Sequence, residues 1–488
     1  MMSRVPDVPD VLVDDVEIGG RAGLSVRVRG GVVAEVGPSD AVGGAAGPTT
    51  APGVARVAGR GAALLPGLHD HHVHLFALGA RAESLWCGPP AVTRPDHLVD
   101  RLREAARENA RERQGGWLRA VGWDDTLAGW PDRRNLDAAV ADCPVRLQHR
   151  SGALWVLNSA ALAHLHLDAG DELPAGVEIG DDGSPTGRIT GLDAWLRERI
   201  GGEPPSLRAV SADLAAAGVT GVTDATAHNG PTELAALGSA RHSGELAQRL
   251  TAMTGSADAT APDGVRLGPV KLVLFEAALP PIAEFAARIA TAHANGRAVA
   301  VHAASRVAVV FAVTALAEAG AGPDDRIEHA SVVPPEMLRA IERLGVTVVT
   351  QPHFISEHGD RYRATVEVAD QPWLYRARTL LDAGIPLAAG SDAPVGELDP
   401  WAAMAAAVER RTAEGHVMGP DERLSPEQAL GLFTGHPARP GGPPREIRPG
   451  EPADLCLLDR PWATARRDLA DVRVEATIIG GRVVYDGT

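Results

Sequence analysis

The feature that most constrains this chain is an alternation along its middle. Between residues 63 and 394, short β-branched runs alternate with longer Ala/Leu/Arg/Glu segments of helical spacing. The runs 63–75, 145–149, 218–226, 270–275, 298–303, 325–330, 347–354 and 386–394 read as strands. Segments 96–112, 282–295, 306–319 and 334–344 read as helices. A helix between two strands lets them lie parallel, so this pattern predicts βαβ units. Eight such units suit a closed (β/α)8 TIM barrel. The alternative, an open doubly wound sheet, is disfavoured because no Gly-x-Gly-x-x-Gly follows an early strand.

The two ends of the chain share a different pattern. Residues 11–37 read as three short strands, the last two joined at Gly30-Gly31. Near the C-terminus, 453–459 reads as a strand and 477–485 as a hairpin turning at Gly480-Gly481. Paired glycines suit two-residue hairpin turns. The expectation is a small β-sandwich formed by N- and C-terminal segments, 1–59 and 444–488, with the barrel over 60–443 between them. Residues 38–57, rich in Gly, Ala and Pro, read as a linker. The long stretch 76–144, with Trp86, Trp123 and Trp130, reads as an insertion over the barrel mouth.

Net charge is −16, which argues against nucleic acid and anionic membranes as partners and leaves a small-molecule substrate. No apolar run reaches about 18 residues. The N-terminal residues lack a basic region followed by an apolar one, and the 3 cysteines are widely spaced. A reduced, cytoplasmic protein is expected, with homo-oligomerisation left open.

In such barrels, chemistry-bearing groups come from the C-terminal ends of the strands. Here those ends carry His72 and His74, then Lys271, His302, His329 and Asp392. His72 and His74 are two apart, so both side chains share a strand face and can meet one metal ion. His69 and His71 have the opposite parity. Lys271 is the chain's only lysine against 46 arginines. A buried lysine can lose its proton and add CO2 to give a carbamate, an anionic ligand with two oxygens, which arginine cannot do.

These residues carry a resemblance. Pro66-Gly67-Leu68-His69-Asp70-His71-His72-Val73-His74 resembles a signature of the amidohydrolase superfamily. Gly390-Ser391-Asp392-Ala393-Pro394 resembles its eighth-strand motif, and 449–455 its return to the sandwich. Gly122-Trp123-Asp124, Asn158-Ser159-Ala160-Ala161-Leu162 and Pro185-Thr186-Gly187 resemble the large-insert branch, amidohydrolase family 3 (YtcJ-like). The chain departs from that branch after His302, where it has Ala-Ala-Ser, and before Asn158.

The resemblance implies a metal-dependent hydrolase that cleaves a C–N bond in an amide, N-acyl or cyclic amide substrate with a metal-activated hydroxide. His72, His74 and Asp392 would hold one ion, His302 and His329 a second, and carboxylated Lys271 would bridge them. Zn2+ is the default, with Mn2+, Fe2+ and Ni2+ as alternatives. Asp392 would carry the proton from nucleophile to leaving amine. Trp123, Arg306, Gln351 and His353 are candidates for substrate contact. Two rivals remain: a mononuclear aminohydrolase (deaminase) and a barrel that binds ligand without catalysis. The deaminase would need an acid three residues after His302, where this chain has Ser305.

Overall fold

The computed structural model describes residues 10–42, 54–112, 116–152, 154–168, 173–274 and 276–487. Two compact units emerge, one formed by Phe76–Ser206 and the other by the rest of the chain.

The larger unit is built on eight parallel strands. They are β1 (Leu68–Val73), β2 (Val219–Asp224), β3 (Arg249–Thr254), β4 (Val265–Val273), β5 (Val299–Ala303), β6 (Arg326–His329), β7 (Thr347–Thr350) and β8 (Leu387–Ala389). Each pairs with the next in sequence order. The ends of the sheet meet where Asp392 N donates to His72 O (2.7 Å) and His74 N to Ala393 O (3.0 Å). This is the nearly closed barrel that the alternation predicts. Gly390 makes the seam: a Cβ there would lie 2.3 Å from His72 N. Only glycine allows β8 to pass so close to β1.

The predicted strand set needs one correction. Val145–His149 belongs to the other unit, and the third barrel strand is Arg249–Thr254. Burial separates the two. Val145–His149 alternates between buried and half-buried positions, whereas five consecutive residues of β3 are buried. Barrel strands are covered on both faces and so read as continuous runs.

The sandwich at the chain ends forms as expected. One four-stranded sheet runs Val32–Pro38, Arg21–Arg29, Asp10–Ile18, Val54–Ala58, and the other Arg482–Asp486, Val474–Ile479, Leu455–Leu458, Leu64–Pro66. Their inner faces share one core, with Val11, Val13, Val26 and Val28 packed with Leu64, Leu455, Leu457 and Ile478. Both glycine pairs turn with positive φ, Gly30 and Gly31 at 55° and 82°, Gly480 and Gly481 at 55° and 77°. The segment read as a linker over 38–57 falls partly outside the described residues, at 43–53. Val54–Ala58 is a strand, paired parallel to Asp10–Asp14.

Phe76–Ser206 is longer than the insertion expected over 76–144. It holds a six-stranded sheet in the order Val177–Ile179, Pro185–Thr190, Leu154–Leu157, Val145–His149, Leu118–Trp123, Leu85–Trp86. Cys87, Cys143 and Cys456 are free, and burial pushes the Cys87 and Cys456 thiols up to about 12. Among the described residues, no helix is long and apolar enough to cross a membrane.

Candidate metal centre

The C-terminal ends of β1, β4, β5, β6 and β8 converge on one point. His72 Nε2 lies 3.3 Å and His74 Nε2 3.2 Å from Asp392 Oδ1. Lys271 Nζ, on β4, is 3.4 Å from His72 Nε2. The His302 and His329 rings lie 4.4 Å apart, and His329 is 4.8 Å from the His72 ring. All six groups singled out in the sequence are thus brought together. His69 and His71 are not part of this set: His69 bonds Thr223 Oγ1 (2.9 Å) and its ring lies 4.5 Å from that of His71.

Two of these groups sit in left-handed backbone, His329 with φ 70° and Asp392 with φ 52°. Such conformations are disfavoured for residues with a Cβ and concentrate at functional sites.

The far sides of three imidazoles are anchored. His72 Nδ1 donates to buried Glu328, which also accepts from Arg326 Nε (2.6 Å) and Nη2 (2.9 Å). His74 Nδ1 bonds Thr226 Oγ1 (2.9 Å), and His329 Nδ1 bonds Gln351 Oε1 (2.8 Å). Anchoring through Nδ1 leaves Nε2 as the lone-pair donor, the usual support for a metal-binding imidazole. Glu328 was not among the residues singled out in the sequence. Asp70 Oδ1 accepts from His72 N (3.0 Å) and Ser391 N (3.1 Å), joining β1 to the segment after β8.

The electrostatics fit a cation. Burial pushes the Lys271 ammonium below its ordinary range, against the pull of Glu328 and Asp392. Burial and Lys271 lower His302 to about 4. Burial and Lys271 also oppose charge on His72, but Glu328 and Asp392 outweigh them and its pKa lies above the ordinary value. Asp392 stays well below the usual carboxylate range despite burial, because His329, His72 and His74 favour its ionised form. The neutral imidazoles of His302 and His329 and a buried amine beside an ionised carboxylate make a donor set suited to a borderline divalent ion. The residues present therefore fit the implied metal.

Four further candidates resolve differently. Arg306 lines a cavity of about 590 Å³ that also contains His302, His329 and Asp392. Its guanidinium lies over the Trp373 ring and 3.3 Å from Asp370. Gln351 and His353 are corrections, being buried supports rather than lining groups: Gln351 orients His329, and His353 Nε2 donates to Ser391 O (2.9 Å). Trp123 is a correction as well. It is fully buried in the core of the Phe76–Ser206 unit, where its Nε1 donates to Gly129 O (3.0 Å).

His353 yields a pH prediction. Burial lowers it from 6.5 to about 4. A histidine held neutral in the fold contributes stability that is present above its unfolded value and lost as pH falls through the folded one. About 3 kcal/mol should therefore disappear between pH 6.5 and 4. Thermal melts across that range should show a shallower loss in His353→Gln than in the parent.

The sequence model of the amidohydrolase family matches residues 57–485. The chain belongs to the amidohydrolase family. Among its curated relatives, the N-substituted formamide deformylase of Arthrobacter pascens is 26% identical, over 95% of this chain and 95% of its own length. The putative amidohydrolase YtcJ of Bacillus subtilis (strain 168) is 26% identical over 87% and 89%. An uncharacterized metal-dependent hydrolase from Pyrococcus horikoshii OT3 shares the fold, with a TM-score of 0.72, 23% identity and coverage of 92% and 97%. Membership in the amidohydrolase family supports metal-dependent hydrolysis.

Proposed function

We propose that this amidohydrolase hydrolyses a C–N bond in an amide, N-acyl or cyclic amide substrate, using two divalent ions, Zn2+ by default. The observation that carries the reading is Lys271, the only lysine, placed with its amine 3.4 Å from His72 Nε2 among the other five groups. His72, His74 and Asp392 would hold one ion, His302 and His329 the other, with carboxylated Lys271 between them.

When bound, the ions supply Lewis acidity that makes water nucleophilic near neutral pH and polarises a carbonyl. Glu328, Thr226 and Gln351 keep the imidazole Nε2 atoms aimed inward. Asp392 accepts the proton of the attacking water and delivers it to the leaving nitrogen as the C–N bond breaks. The name of the Arthrobacter relative supports C–N cleavage and puts N-substituted formamides in the substrate panel. The deaminase alternative lacks its acid, because Ser305 serves as a helix cap, accepting from Ala308 N (3.1 Å).

Elemental analysis of the purified protein should return about two divalent ions per chain. Chelation should abolish hydrolysis across a panel of formamides, N-acyl amines, cyclic amides and esters, and added metal should restore it. Hydrolysis that survives complete metal removal would sink the metal-dependent reading, and one tightly bound ion with full activity would sink the two-ion reading.

A further inference from the structure

The cavity beside the centre contains a group of hydroxyls to which the reaction above assigns no role. The chain has 3 tyrosines, and two of them, Tyr362 and Tyr375, line this cavity. Their hydroxyl oxygens are 3.2 Å apart and their rings stack at 6.1 Å. Ser331 lines the cavity beside them. Two hydroxyls joined by one bond use one of their two protons. One O–H is left over, whichever of the two donates.

The fold holds this pair in place with unusual means. Tyr375 has φ 49°, a left-handed backbone that a bulky residue rarely adopts. Buried Arg410 fastens the segment, donating through Nη2 to Leu374 O (2.9 Å), through Nη1 to Tyr375 O (2.8 Å) and through Nε to Met418 O (2.7 Å). Tyr375 N donates to Ser331 O (2.8 Å), which holds the Tyr375 backbone against the Ser331 segment. Phe354, Leu374 and Val332 pack beside the pair and also line the cavity.

We propose that the Tyr375–Tyr362 hydroxyl pair donates its spare O–H to the acyl oxygen of the substrate and strengthens that bond as negative charge builds on the oxygen. This rests on the hydrolase reading above. A preorganised donor of this kind is worth about 10²-fold in kcat.

The test uses the metal-loaded full chain, Tyr375→Phe, Tyr362→Phe and the double variant. Formanilide is the substrate and the N-phenyl phosphonamidate of methylphosphonic acid is a tetrahedral probe. Tyr375→Phe should lose about 10² in kcat with KM, metal content and melting temperature nearly unchanged. Its affinity for the phosphonamidate should fall by a similar factor, as expected of a group that acts in the transition state. The double variant should lose little more than Tyr375→Phe, because both changes break one pair. Undiminished kcat and phosphonamidate affinity in Tyr375→Phe overturn the inference while leaving the hydrolase reading intact. So does a loss explained by lower metal content or melting temperature. A parent protein that neither cleaves the amide panel nor binds the phosphonamidate overturns the hydrolase reading and this inference with it.

Discussion

Lys271→Ala is expected to lose about 10³-fold in kcat/KM, about 4 kcal/mol of transition-state stabilisation, together with part of the bound metal. The reason lies in charge. Lys271 is 4% exposed and its amine sits beside His72 Nε2, so an ammonium there would repel any cation at the centre. Burial already favours the neutral amine. A neutral amine adds CO2, forming an N–C bond and releasing one proton to solvent, and the product is an anion with two ligand oxygens. Alanine leaves a hole of matching shape. Formate, acetate or propionate should enter it and restore part of the activity in a saturable way. Loss of activity with metal retained and no rescue by these acids would argue against the carbamate.

Glu328→Gln is expected to destabilise the fold by about 3–5 kcal/mol and to weaken metal binding about 10–100-fold. Glu328 is fully buried, and its carboxylate joins Arg326 to His72. Glutamine fills the same volume but removes the only charge that Arg326 contacts directly among the described residues. The Glu328 carboxyl lies well below its ordinary range, because Arg326 and His72 outweigh the cost of burial. Its contribution is therefore present above the unfolded value near 4.5 and lost as pH falls through the folded one. Parent and variant should differ most near neutral pH and converge in acid. Equal melting temperatures at pH 7 with equal metal content would contradict this account.

The six groups of the centre were legible because barrel strands all point their C-terminal ends one way, so a polar residue at such an end announces itself. Lys271 was legible for a second reason, the near-absence of its residue type elsewhere. Glu328 was hidden by the rule that revealed the others. Adjacent residues of a regular strand face opposite sides, so the strand pattern gives no reason to place Glu328 beside His329 at the centre. The left-handed backbone at His329 breaks that alternation, and both residues reach the His72 imidazole.

Val145–His149 was misplaced for a related reason. A short alternating run and a short buried run look equally strand-like until the neighbours covering each face are known. Trp123 likewise resembled a pocket wall, yet its ring completes the core of the other unit.

What the sequence determined by itself was local and repetitive: the strand–helix period that selects a barrel, the paired glycines that turn the terminal hairpins, and the ligand types at the strand ends. What only the tertiary structure decided was which groups stand behind those ligands, namely Glu328, Gln351 and Thr226, and the Tyr362–Tyr375 pair beside them. These partners come from strands and loops far apart in the chain. Their contacts exist only after the barrel closes, and no spacing along the sequence encodes a distance across it.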